Sequence, residues 1–111
     1  MKHRLTSLMV VALIVVAALL AVSCDTTAER ELARAETALN EAARANASEF
    51  ASEDYNAAEA AFAEAQQLAA DNRVQESRAM AIKCKILAED AKHKAEERQR
   101  ILESEMDRIG R

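Results

Sequence analysis

The sequence predicts an all-α fold, and three observations of composition support that class. The 111 residues include no proline and a single glycine, so few tight turns are available to join strands. Alanine is the most frequent residue, with 26 copies, and Asp, Glu, Lys and Arg together supply 31% of the chain. Alanine-rich, highly charged sequences without helix breakers are typical of long helices.

The first 23 residues have the pattern of a secretory signal peptide. Lys2 and Arg4 precede an uncharged apolar stretch, residues 8–22, and no acidic residue occurs before Asp25. A helix of that length spans about 22 Å, which is short of the roughly 30 Å hydrocarbon core of a membrane. We therefore expect residues 1–23 to be a cleaved signal peptide, with an uncleaved membrane anchor as the alternative.

The residues before Cys24 resemble a bacterial lipobox, in which a small residue precedes an invariant cysteine. Val22 and Ser23 match that pattern, and Ala21 stands where leucine is commonest. The resemblance implies that Cys24 becomes the first residue of a mature domain, 24–111, and carries a diacylglycerol thioether. Two or three acyl chains would hold it stably on membrane lipid. The alternative is a secreted protein with a chance cysteine at the cleavage site.

Charge and signal together limit the location and the partners. Loss of Lys2 and Arg4 leaves 13 basic residues against 19 acidic ones, a net charge of −6. Sequence-independent nucleic-acid binding needs an excess of basic residues, so we expect no nucleic-acid partner. The lipobox implies a bacterial cell envelope, with the periplasmic face of the outer membrane favoured. Asp25 leaves the inner membrane as an alternative, and exposure on the cell surface is a third.

The first helix of the mature domain is predicted to begin at Thr26, where Thr26 and Glu29 fit a capping box. Apolar or small residues then recur every three or four positions, which is the period of one helix face. These residues are Ala28, Leu32, Ala35, Leu39, Ala42 and Asn46. The pattern weakens over residues 47–52, where Ser52 with two following acids is typical of a new helix start.

Two further helical faces follow. The second includes Tyr55, Ala58, Phe62, Ala65 and Ala69. Asp71 and Asn72 then predict a turn, because both residue types tolerate left-handed backbone geometry. The third face includes Val74, Ser77, Ala81, Cys84, Ala88, Ala91 and Ala95, in a helix expected to end near Ile109, with Gly110 as its stop.

These helices allow two architectures. The preferred one is a long antiparallel hairpin, coiled-coil-like and alanine-rich, with residues 27–70 paired against 73–109 and residue i opposite about 143 − i. The other is a three-helix bundle that breaks at residues 47–52. The bundle would leave the end of the last helix uncovered, with its apolar residues Ile101, Leu102, Met106 and Ile109.

A second apolar stripe on the last helix predicts a contact with another chain. The mature domain has few large apolar side chains, and small domains with thin cores often oligomerise. Ile82, Ile86 and Leu87 form this stripe, which lies off the face through Ala81 and Cys84. Together with three residues near the end of the helix they are the candidates for a partner or oligomer surface: Ile82, Ile86, Leu87, Ile101, Leu102 and Met106. The alternative is that they cover one wide core.

Residues 28–97 resemble small alanine-rich bacterial lipoproteins whose domain has no known function. The likeness rests on Phe50-Ala51-Ser52-Glu53-Asp54-Tyr55, on Ala69-Ala70-Asp71-Asn72 and on the segment from Ser77 to Ala91. The resemblance implies an envelope location. A single tetratricopeptide half-repeat is a weaker likeness, because Met80 stands where that motif needs a small residue.

Residues with catalytic potential are few. Cys84 lies on the apolar face and is interpreted as a buried structural cysteine, with pairing between chains as the alternative. Glu89, His93 and Glu97 share one face but form a weak ligand set, so we expect no metal and no cofactor. The sequence contains no nucleophile triad and no phosphate loop, so we expect neither an enzyme nor a small-molecule substrate.

The sequence therefore predicts a membrane-anchored envelope lipoprotein that acts as a structural or scaffold module through helix–helix contacts with an envelope protein or with itself. A surface lipoprotein that binds a host or environmental macromolecule is the alternative.

Overall fold

A computed structural model describes the backbone of residues 2–111 and the side chains at positions 4, 6–14 and 28–111. The described chain is all-α and contains no strand, so the predicted fold class is confirmed. Its elements in chain order are α1 (Lys2–Arg44), α2 (Ala47–Phe50), α3 (Ser52–Ala70) and α4 (Val74–Ile109). The molecule is elongated, with Cα extents of 92 × 25 × 13 Å.

Helices α3 and α4 form the antiparallel pair that the sequence predicts. The Ser77 hydroxyl donates to the Ala65 carbonyl oxygen at 2.7 Å, and the Lys94 ammonium pairs with the Asp54 carboxylate. Residues therefore face each other near 143 − i beside the turn, as expected. The turn itself is confirmed too, because Asn72 has the left-handed φ of 59° that asparagine tolerates.

Helix α1 runs parallel to α4, which decides between the two architectures. Glu41 pairs with Lys92 at 3.4 Å, and the Gln99 amide donates to the Ala45 carbonyl oxygen at 3.1 Å. A long hairpin would place Glu41 opposite residue 102 instead. The preferred hairpin, with 27–70 as one arm, is therefore wrong, and the three-helix bundle is the arrangement observed. Helix α4 packs against both α1 and α3, which contact each other less.

The chain reverses direction at Asn46, without any proline or glycine. Asn46 adopts φ 59° and ψ 35°, the left-handed conformation, and α2 is a single turn. Ala51 then leaves the helical region, with φ −144°, and occupies the N-cap position of α3. The helix start predicted at Ser52 is therefore observed, with Ala51 rather than Ser52 as the N-cap. The two acids after it lie in the first turn, where the helix dipole favours negative charge.

The bundle core consists mainly of small side chains. On α4 the predicted face is confirmed, and six of its residues are fully buried; we name these the α4 core seam: Ser77, Ala81, Cys84, Ala88, Ala91 and Ala95. Alanines of α1 and α3 cover the seam, including Ala35, Ala42, Ala58 and Ala65. Leu32, Phe50, Tyr55 and Phe62 pack around its margin, partly buried. Small residues at the contact let three helix backbones approach closely.

The predicted helix start at Thr26 is not observed. Helix α1 begins at Lys2 and continues through that position to Arg44. Among its described side chains before Ala28, all are exposed. In the described part of the chain, no helix is long and apolar enough to cross a membrane.

Candidate interaction surface

Helix α4 extends past the helices that cover it. The last cross-helix bonds lie at the α1–α3 break, where Arg98 donates to the Phe50 carbonyl oxygen and Gln99 to that of Ala45. Every residue of 100–111 is exposed. We name residues 100–109 the α4 extension; at 1.5 Å per residue it projects about 15 Å. The uncovered end that the sequence predicted for a bundle is confirmed.

Arg98 and Gln99 are structural residues of this surface that the sequence did not identify. Their side chains satisfy two carbonyl oxygens that lack helical partners at the break. Both contacts join residues about 50 positions apart, so no local pattern signals them. They hold the base of the α4 extension against the bundle.

The α4 extension carries an open continuation of the core seam. Leu102, Met106 and Ile109 are 45%, 70% and 84% exposed. At 3.6 residues per turn they lie within about 45° of the direction in which the α4 core seam points. Inside the bundle that direction is covered by α1 and α3. On the α4 extension, no described residue covers that direction. We name Leu102, Met106 and Ile109 the open seam.

The opposite side of α4 carries a second, smaller apolar patch. Ile82 and Ile86 are 39% and 54% exposed. They point about 180° away from the core seam, on the side of α4 that neither α1 nor α3 occupies. We name this side the outer face. Ile101, half exposed, lies between the outer face and the open seam.

The six candidate residues of the sequence analysis lie on different sides of α4. Leu102 and Met106 belong to the open seam, whereas Ile82 and Ile86 belong to the outer face. Leu87 is partly buried and packs against the core cluster, so it belongs to the bundle rather than to an exposed surface. The alternative of one wide core applies to Leu87 alone.

Salt bridges lie at the edges of the contacts between the helices. Lys92 pairs with Glu41 across α1 and α4, and Lys94 pairs with Asp54 across α3 and α4. The hydrogen bond and charge of Asp54 raise the pKa of Lys94. Exposed pairs of this kind contribute little to stability, because solvent screens them. They set the orientation of α4 more than its stability.

Among the residues with described side chains, Cys84 is the largest that is fully buried, and it is a free thiol. Burial raises its pKa from 9.0 to about 11, because the thiolate would lose its hydration. A protonated, buried thiol is a poor nucleophile. The interpretation of Cys84 as a structural cysteine is confirmed by its position in the seam.

The remaining site predictions rest on surface or undescribed positions. Glu89, His93 and Glu97 are exposed on the outer face of α4. Among the residues with described side chains, no three His, Cys, Asp or Glu residues are grouped to hold a metal ion. The Cys24 side chain lies outside the described residues, so its acylation stays a prediction.

No family model matches the chain, and no curated protein or solved structure is significantly similar to it.

Proposed function

We propose that the chain is a lipid-anchored lipoprotein of the bacterial envelope that serves as a structural spacer and interaction module. The observation that carries this proposal is the open seam, an uncovered continuation of a helix-packing face. The anchor rests on the lipobox resemblance around Cys24. The proposed role is non-catalytic: the chain binds another envelope protein through helix–helix contacts.

The open seam has the chemistry of a helix-docking face. Full burial of one Leu, Met or Ile side chain contributes about 1.5–3 kcal/mol. Three such residues, all at least 45% exposed, supply several kcal/mol before the cost of association. The rest of the circumference of the α4 extension is charged, with Arg100, Glu103, Asp107 and Arg108, so the extension is amphipathic. An amphipathic helix of the partner fits this surface.

The bundle would separate the anchor from the docking face. Because α1 runs parallel to α4, with Glu41 beside Lys92, Ala28 lies level with about residue 80 of α4. The distance along α4 from that level to Ile109 is about 45 Å. Cys24 precedes Ala28 by four residues, so an acyl anchor would lie at the end of one copy that is remote from the α4 extension. This separation supports the spacer role.

Photocrosslinking in producing cells tests the docking function. A photoreactive amino acid is introduced at Leu102 or Met106, and at Ser104 as the control, since Ser104 is exposed on the opposite side of the same extension. We expect adducts with one other envelope protein from Leu102 and Met106, and none from Ser104. Equal adducts from all three positions, or adducts only with the chain itself, would contradict the proposal.

Substitution of the predicted lipidated residue tests the anchor separately. Cys24→Ala removes the only acylation site that the lipobox offers, so the protein should leave the membrane fraction. Protease treatment of intact cells then reports the side of the outer membrane. The proposed periplasmic location predicts protection until that membrane is breached. Cleavage on intact cells would favour the surface-lipoprotein alternative, and retention of the Cys24→Ala protein on membranes would refute the lipid anchor.

A further inference from the structure

The outer face of α4 has an asymmetric distribution of charge around its two isoleucines. Toward the start of the helix, Arg78 and Lys83 flank Ile82 and Ile86, and both bases are exposed. Neither base makes an ion pair with a described residue. Toward the other end the same face is acidic, with Glu89, Asp90 and Glu97 exposed, and Glu89 pairs with Lys85 of the same helix at 3.9 Å. One helix face thus carries a basic half, an apolar centre and an acidic half.

Because this face changes from basic to acidic along the helix, it is complementary in charge to the same face of a second copy that runs in the opposite direction. We propose that a second copy of the chain docks on the outer face, with the two α4 helices antiparallel and related by a two-fold axis at about residue 87. Residue i then faces residue 174 − i of the second copy. Lys83 then lies within one residue of the level of Asp90 of the second copy. Two-fold symmetry makes this pairing twice.

The same register brings the apolar centres together. Ile86 lies beside the two-fold axis and packs against Ile86 of the second copy. Ile82 covers the neighbouring turn. In a parallel pair, Arg78 and Lys83 would instead face Arg78 and Lys83 of the second copy. This arrangement costs free energy because like charges repel. Charge therefore selects the antiparallel orientation, and the isoleucines supply the buried surface.

The proposed dimer leaves the open seam free. The outer face and the open seam point in opposite directions from the axis of α4, so a copy docked on one does not cover the other. Antiparallel pairing puts one α4 extension at each end, with their centres about 52 Å apart along the helix axis. The dimer would present two identical docking faces, each beside the start of the other copy's α4, so the separation of anchor and docking face described above applies to a single copy. The inference goes beyond the proposed function, since it depends on neither the lipid anchor nor the envelope partner.

Disulfide crosslinking of the full chain in producing cells tests the register. Ile86→Cys places a thiol beside the two-fold axis and should give a crosslinked dimer on mild oxidation. Gln75→Cys lies on the same face but, in the antiparallel pair, about 36 Å from its copy, so it should give none. Gln66→Cys, exposed on α3, is the control for random collision. A dimer from Gln75→Cys equal to that from Ile86→Cys would overturn the antiparallel arrangement.

A charge exchange in the Ile86→Cys background tests the pairing itself. Lys83→Glu or Asp90→Lys alone should lower the crosslinked fraction at least about fivefold, because each places like charges opposite one another. The two together should restore it, since the pair is re-formed with its signs exchanged. Both residues are exposed, so the bundle should keep its helical circular dichroism. Failure of the double variant to restore the dimer, or crosslinking of Ile86→Cys to a different protein instead, would overturn the proposal.

Discussion

At the scale of single residues, the bundle depends on side chains that are small. The fully buried residues of the α4 core seam are alanines, Ser77 and Cys84. Their positions could be predicted from the sequence, because a repeat every three or four residues fixes one helix face. The contact of the Ser77 hydroxyl with the Ala65 carbonyl oxygen could not, since it joins two helices whose register depends on the whole fold.

Enlargement of a seam residue should destabilise the bundle. Ala88 is fully buried, so Ala88→Leu forces three helix backbones apart and should lower the free energy of unfolding by about 1–3 kcal/mol. Ala63→Leu, at an exposed position of α3, makes the same chemical change with little effect. Urea unfolding followed by circular dichroism measures both. Equal stability of the two variants would show that residue 88 has free space around it.

The buried thiol predicts a loss of stability at alkaline pH. The pKa of Cys84 is raised to about 11 in the folded chain from an ordinary 9.0, so the unfolded chain releases this proton first. The stabilisation is complete below pH 9 and is lost as pH rises through 11. Urea unfolding at pH 8 and pH 10.5 should therefore show a larger decrease for the native chain than for Cys84→Ala. Parallel decreases would indicate that the thiol ionises freely.

At the scale of elements, the break between α1 and α3 decides the fold, and the sequence indicated it only weakly. The periodic pattern fades over residues 47–52, but the reversal occurs at Asn46, which also continues the apolar spacing of α1. The residues around an asparagine do not show whether its backbone is left-handed or helical, so the reversal at Asn46 could not be predicted from them. The neighbouring carbonyl oxygens are satisfied from α4, by Arg98 and Gln99, which local patterns do not reveal.

Substitutions at Asn46 should show whether its backbone is left-handed or helical. Glycine adopts a positive φ without strain, so Asn46→Gly should preserve or slightly raise stability. Asn46→Val should cost about 1–2 kcal/mol, because a β-branched residue resists the left-handed region. The control is Asn40→Val, at an exposed position inside α1, where we expect a loss of only a few tenths of a kcal/mol. Thermal unfolding compares the three variants, and equal losses for the two valine variants would contradict a left-handed Asn46.

At the scale of the whole molecule, the bundle places α1 beside α4 in a parallel register. A chain with the paired substitutions Glu41→Cys and Lys92→Cys should be bridged internally by a short bismaleimide reagent, since the ends of the native side chains are 3.4 Å apart. The pair Glu41→Cys and Leu102→Cys is the control: it faces in the long hairpin but is separated by about 15 Å in the bundle. Mobility on denaturing gels reports both. An internal bridge in the control pair alone would contradict the bundle and favour the long hairpin.

The sequence predicted the uncovered end of α4 only as a consequence of the bundle. Ile101, Leu102, Met106 and Ile109 have helical spacing, which by itself does not distinguish a buried face from an open one. Their exposure follows from where α1 and α3 end, and therefore from the break at Asn46. Similarly, the six candidate residues lie on different sides of α4, and the packing of α1 and α3 decides which of them are exposed.

Hydrogen exchange of the α4 extension tests the central claim, that this open face is covered by a partner in the envelope. Amides of residues 100–109 should exchange rapidly in the purified protein, because no tertiary contact protects that part of the helix. In membranes of the producing cells the same amides should exchange at least about tenfold more slowly, while amides of the α4 core seam stay protected in both preparations. Equal, rapid exchange of residues 100–109 in both preparations would contradict the account.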